Sequence, residues 1–171
     1  VHGDGERAWL WIDLKNPHPA LPGLLRGALE GWSMLEITGG ASARRGAVTV
    51  VLTGNGSMKK AVMEGWSRPH VVRDSNAYAR TDPESDGAWT HYALSWPTFF
   101  GWDGTGEPPA EDSRALGCIM SSAHLRGYRV RFYGAPDRRE AWAWLLDHGV
   151  DHVGTDRPAD LAEYLRGRPA R

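Results

Sequence analysis

The stretch Ala8-Trp9-Leu10-Trp11-Ile12-Asp13-Leu14-Lys15 alternates in a way that a strand can use. Successive side chains of a strand point to opposite faces. Ala8, Leu10, Ile12 and Leu14 make one apolar face, suited to covering helices. Trp9, Trp11, Asp13 and Lys15 share the other, with Asp13 and Lys15 at the strand's C-terminal end. Outward from this stretch, strand-like runs and helix-like stretches take turns. A helix is expected over 20–37, after a Pro-rich turn and weakened by Gly23, Gly27 and Gly31. Further strands are expected over 47–53, near 70–74, over 92–96, 128–133 and 150–155. Helices are expected over 57–65 with Ser57 as N-cap, 110–126, 138–148 and 158–165. Two long loops, 75–90 and 97–109, separate the middle elements. Strands that alternate with helices imply βα units around a parallel sheet.

The 171 residues suit a single domain over 1–171 with a sizeable core. Apolar residues at 41% and charged residues at 24% describe a globular chain, not a disordered one. A formal net charge of -1 lacks the basic field that nucleic-acid binding needs. No apolar run is long enough to cross a bilayer, so no transmembrane segment is expected. The polar, Gly-rich start at Val1 does not read as a signal peptide, and a start without Met suggests a processed or partial chain. Cys118, the single cysteine, can form neither an internal disulfide nor a cysteine-based zinc site. The compartment is not readable.

Asp13 and Lys15 carry the first candidate chemistry. A carboxylate at a strand's C-terminal end can hold a hard cation, and an ammonium beside it can neutralise a phosphate oxygen. A solvent-facing ion pair explains the same spacing. Arg131 is the second. Val130 and Phe132 should face helices, which turns Arg129, Arg131 and Tyr133 inward, and an inward arginine needs an anion. That anion is either a phosphate or a carboxylate of Asp13, Asp74 or Asp156. Other signals are weaker. Gly54-Asn55-Gly56-Ser57 lies between a strand and a helix, but Lys59 occupies the third-glycine position of the dinucleotide fingerprint. Asp82, Glu84, Asp86 and Gly87 resemble the start of a calcium loop, but Ala93 falls where its last ligand belongs. His18 follows the first strand; His70, His91, His124, His148 and His152 are scattered over separate elements. Trp89, Trp96, Phe99, Phe100 and Trp102 are either an apolar rim or a packed cap.

The run Gly149-Val150-Asp151-His152-Val153-Gly154-Thr155-Asp156-Arg157-Pro158 resembles the closing strand of the glycerophosphodiester phosphodiesterase and phosphatidylinositol-specific phospholipase C-like superfamily. Trp11-Ile12-Asp13-Leu14-Lys15 is similar to that group's acidic-x-Lys strand. Ala47 to Asn55, Leu94-Ser95-Trp96 and Arg131-Phe132-Tyr133-Gly134-Ala135-Pro136-Asp137 resemble further strands, in the same order. The resemblance implies a partial (β/α)₈ TIM barrel, with six of eight parallel strands present (strands 3–8). It implies a metal-dependent phosphoric diester hydrolase acting on a small-molecule or lipid phosphodiester, with Mg²⁺ or Ca²⁺ as cofactor. Asp13 would match a metal carboxylate and Lys15 the phosphate-contacting lysine. Arg131, from its inward placement on its own strand, is the candidate for phosphate binding; by the resemblance, Trp96, Asp137 and Asp156 would line the pocket or support its loops. Asp13, Lys15 and Arg131 would converge at one rim.

A full barrel needs eight strands and about 250 residues. The group's two catalytic histidines and Glu-x-Asp metal pair precede the acidic-x-Lys strand, and only twelve residues precede Asp13 here. The chain therefore reads as truncated at its N-terminus and inactive alone, though relatives are often exported enzymes. A non-catalytic α/β ligand-binding module and one piece of a split barrel are the alternatives. Open strand edges at 8–15 and 150–155 are expected to promote self-association.

Overall fold

The computed structural model describes residues 7–39 and 41–168. The elements are β1 (Ala8–Leu14), α1 (Leu21–Glu30), β2 (Val48–Gly54), α2 (Gly56–Met63), β3 (Val71–Ser75), β4 (Trp89–Ser95), α3 (Trp96–Phe99), α4 (Ala110–Leu125), β5 (Arg129–Tyr133), α5 (Arg139–Asp147), β6 (His152–Val153) and α6 (Pro158–Arg166). The fold is α/β, and the six strands follow one another in chain order through one sheet, β1-β2-β3-β4-β5-β6. β1 and β2 pair in parallel, as do β2 and β3, and β5 and β6. Strands added in chain order suit a partial barrel; four of the five connections carry a helix, and the β3–β4 connection is a loop. Among the described residues, no helix is long and apolar enough to cross a membrane.

The described residues divide into two compact units, 7–39 and 41–76 with 85–91, and 77–84 with 92–168. In the first unit, Ile12 and Leu14 of β1 join Val50 and Leu52 of β2, Val71 of β3, Leu29 of α1 and Val62 of α2 in one core. The opposite face of β1 presents Trp9 and Trp11 edge-on to the His91 ring, at 5.0 and 5.3 Å between centroids. The alternation in 8–15 thus sorts the strand's two faces as expected. Ala8 and Leu10, at the start of the same face, are the exceptions; both are exposed, Leu10 by 45%.

In the second unit, Val130 and Phe132 of β5 are buried, while Arg129 and Tyr133 are exposed. Phe132 packs with Trp96, Phe99 and Phe100, and Trp144 of α5 closes the same cluster against Trp96, Phe100 and Trp102. Edge-to-face pairs of this kind each add about 0.5–1.5 kcal/mol beyond the area they bury. The 77–84 segment is fastened by side chains. The Arg126 guanidinium donates to the carbonyls of Asp82 and Arg80, Tyr128 Oη donates to the Pro83 carbonyl, and Tyr92 Oη donates to Asp82 Oδ2. Burial, with Asp82 alongside, pushes the Tyr92 phenol well above its ordinary value.

Four expectations need correction. The first helix stops at Glu30, not near residue 37. Leu35 and Ile37 are buried two apart, with Glu36 half-buried between them. Glu36 N–H donates to the Val48 carbonyl and Val48 N–H to the Met34 carbonyl. The period there is therefore two, not 3.6. Asn55, not Ser57, caps α2: Asn55 Oδ1 accepts the Met58 N–H at 3.0 Å, and the Ser57 hydroxyl donates to the same oxygen at 2.7 Å. β4 begins at Trp89, and Trp96 already belongs to the short helix α3. β6 has only two residues. The Val130 N–H is taken by the Asp151 side chain at 2.8 Å, where a longer ladder would offer a backbone carbonyl.

Candidate functional site

The C-terminal end of β1 carries the first group. Asp13 Oδ2 and Lys15 Nζ are 2.5 Å apart, and their side chains are 43% and 77% exposed. Asp13 lies opposite Thr53 in the parallel register, and Leu14 opposite Gly54. The β2–α2 turn closes over this strand end, with Asn55 N–H donating to the Leu14 carbonyl at 2.8 Å. Gly54 has φ +86°, and a Cβ there would lie 2.3 Å from Asp13 Oδ1 and 2.7 Å from the Leu14 carbonyl oxygen. Both the backbone conformation and the close approach demand glycine. The Asp13 carboxylate therefore rests on a backbone surface, open to solvent on its far side. His18 stays local, its Nδ1 accepting the Ala20 N–H at 3.2 Å.

Sequence reasoning missed the buried pair behind this turn. Lys59 Nζ sits 2.6 Å from Asp74 Oδ1, with the side chains 5% and 0% exposed. The ammonium also donates to the Asp74 carbonyl at 3.1 Å and to Asn76 Oδ1 at 3.4 Å. Asp74 Oδ2 has no hydrogen-bond partner among the described residues. Asp74 stood in the sequence reading only as a potential partner for Arg131, and Lys59 only as a break in a glycine pattern. A strand-end aspartate fifteen residues from a helical lysine leaves no local sequence signal.

The second unit holds the remaining candidates. Arg131 on β5 is half-buried and register-paired with His152 on β6, so both point to the same face. Burial holds the His152 imidazole below its ordinary value, and Arg129 and Arg131 lower it further against the opposing pull of Asp151. Asp151 faces elsewhere, accepting from His124 Nε2 at 2.9 Å as well as from Val130 N–H. Asp137 braces the segment after β6. One oxygen accepts the Thr155 hydroxyl, and the other accepts the Asp156 N–H at 3.1 Å. Asp156 itself is exposed. Asp137 also lines a cleft of about 830 Å³ with Arg138, Arg139 and Arg157. Trp96 is 4% exposed, and its Nε1–H donates to the Trp102 carbonyl at 2.9 Å. It is a packing residue in the aromatic cluster.

Two pairs of candidates are thus brought together, Asp13 with Lys15 and Asp137 with Asp156. No group of three His, Cys, Asp or Glu side chains is placed to share a metal ion among the described residues. Asp13 offers an open carboxylate, which fits one ligand of a hard cation but not a full set. Set against protein-family models, curated proteins and solved structures, the chain gives no match.

Proposed function

We propose that this chain is the later part of a metal-dependent phosphodiesterase barrel, strands 3–8 of eight, in the glycerophosphodiester phosphodiesterase and phospholipase C-like group. The exposed Asp13–Lys15 pair on the glycine platform of Gly54 carries the reading. An exposed ion pair contributes only about 0–1 kcal/mol to stability, so stability gives little reason to build a glycine turn around it. The C-terminal ends of parallel strands are where βα folds place their ligands.

In this reading Lys15 neutralises a non-bridging phosphate oxygen and holds the diester against the strand end. Asp13 would give one carboxylate to a divalent cation, Mg²⁺ or Ca²⁺. The bound cation would supply Lewis-acid polarisation of the phosphoryl group. In the second unit, Arg131 is a further cationic candidate on β5, and Asp137 fixes the Thr155–Asp156 turn after β6. Two histidines move the protons in this chemistry, and the reading assigns Asp13 and Lys15 to binding and charge neutralisation rather than to proton transfer.

A second reading, a module that binds phosphorylated ligands without cleaving them, draws support from the lack of a complete metal set among the described residues. Hydrolysis of glycerophosphodiesters with Mg²⁺ or Ca²⁺ separates the two. The assay compares this chain with a version extended through the reading frame upstream of Val1. Activity confined to the extended chain supports the enzyme. Inactivity of both, or equal activity in both, removes the proposal.

A further inference from the structure

The first unit contains a cleft of about 590 Å³ away from Asp13. It is lined by Glu30 to Ser33 at the end of α1, by Ile37 and Arg44, and by Ser67, Arg68 and His70 ahead of β3. These segments precede strands or follow a helix that runs back along them. The cleft therefore lies at the N-terminal ends of β2 and β3, opposite the end that carries Asp13.

His70 is only 6% exposed, yet its Nδ1 has no hydrogen-bond partner among the described residues. Its ring packs 5.8 Å from that of Trp66, and the Trp66 Nε1–H is already committed to Glu30 Oε1 at 3.0 Å. A buried polar atom left unpaired costs about 1–3 kcal/mol, so a partner from solution is favoured there. The charges beside it are also uncompensated. Arg44 donates only to the carbonyls of Ser33, Leu35 and Arg45. Arg68 is exposed and has no ion pair or hydrogen bond among the described residues. Two arginines therefore line the cleft with a single carboxylate, Glu30, which is already hydrogen-bonded.

We propose that this cleft binds a small oxyanion, held by Arg44, Arg68 and His70. Guanidinium forks match the paired oxygens of phosphate and carboxylate, and His70 Nδ1, in the tautomer that carries its proton, donates one further hydrogen bond from the wall. Ser33 and Ser67 offer hydroxyl donors on the rim. The inference does not rest on the phosphodiesterase reading, because it concerns the other end of the strands.

NMR of the full chain tests it. The His70 ring signals are followed while inorganic phosphate or, separately, acetate is added at constant ionic strength. A saturable shift with at least one anion is expected, and the tighter of the two names the ligand class. Arg68→Ala should weaken the apparent affinity roughly ten-fold or more, as loss of a charged hydrogen bond implies, and Arg68→Lys should restore part of it. Arg68 is exposed, so both variants should keep the backbone spectrum of the parent. Arg139→Ala, in the second unit, should leave binding unchanged. Absence of a saturable shift with both anions, or saturation that Arg68→Ala does not alter, overturns the proposal.

Discussion

Lys59→Met should be among the most damaging single substitutions in the first unit. Lys59 and Asp74 are buried, 2.6 Å apart, and the three acceptors around the ammonium account for its three protons. Asp74 Oδ2 already lacks a partner. Removing the ammonium leaves a carboxylate with no compensating charge in a site that water does not reach. Breaking a buried pair from one side costs about 3–5 kcal/mol. Against a total of about 5–15 kcal/mol for a domain, that is roughly a fifth of the stability or more. With a urea slope of about 1–3 kcal/mol per molar, the unfolding midpoint should fall by roughly 1–5 M. The double variant Lys59→Met with Asp74→Leu removes both charges and should regain most of the loss, since apolar replacements of buried pairs are often neutral or better. Urea unfolding followed by tryptophan fluorescence measures all three proteins. A Lys59→Met loss under about 1 kcal/mol would place the pair in contact with water and refute the reasoning.

Gly54→Ala should destabilise by about 1–3 kcal/mol in a thermal melt, because φ +86° and the 2.3 Å approach to Asp13 Oδ1 both exclude a Cβ. Asn55→Ala should cost about 1 kcal/mol through loss of the α2 cap, and Ser57→Ala clearly less; equal losses in urea titrations would reassign the cap. His152 gives a pH dependence. Its folded value lies below its unfolded one, so the unfolded chain takes up the proton first as pH falls. Stability is full above the ordinary histidine range and drops as pH descends from about 6.5 toward the folded value. His152→Asn should flatten that part of the profile, as read from urea midpoints at a series of pH values. An unchanged profile would show that other groups govern it.

The order of strands and helices was legible because each strand of the first unit carries its own signal. Val48 to Leu52 is an apolar, β-branched run, and the 8–15 alternation separates Ile12 and Leu14 from Trp9 and Trp11 as it does in the sheet. Boundaries failed where side chains replace backbone partners. Asp151 shortens β6 by accepting the Val130 N–H, and Asn55 takes the cap from Ser57 by reaching Met58. The end of α1 failed because Leu35 and Ile37 suit either a helical or an extended face, and only the backbone bonds with Val48 decide it. At the candidate site, Asp13 with Lys15 was legible because two residues of one strand share a face by geometry alone. Lys59 with Asp74, the Gly54 platform and the His70 cleft were not. Each joins segments whose proximity depends on register and packing, which no local pattern encodes.

The most direct test of the Asp13–Lys15 reading is metal-dependent phosphodiester hydrolysis by the upstream-extended chain carrying Asp13→Asn or Lys15→Met. Both side chains are exposed, so the variants should fold as the parent does. Loss of one group that stabilises the transition state lowers turnover about 10²–10³-fold, and each variant should fall by that order. Parental turnover in both variants would contradict the account.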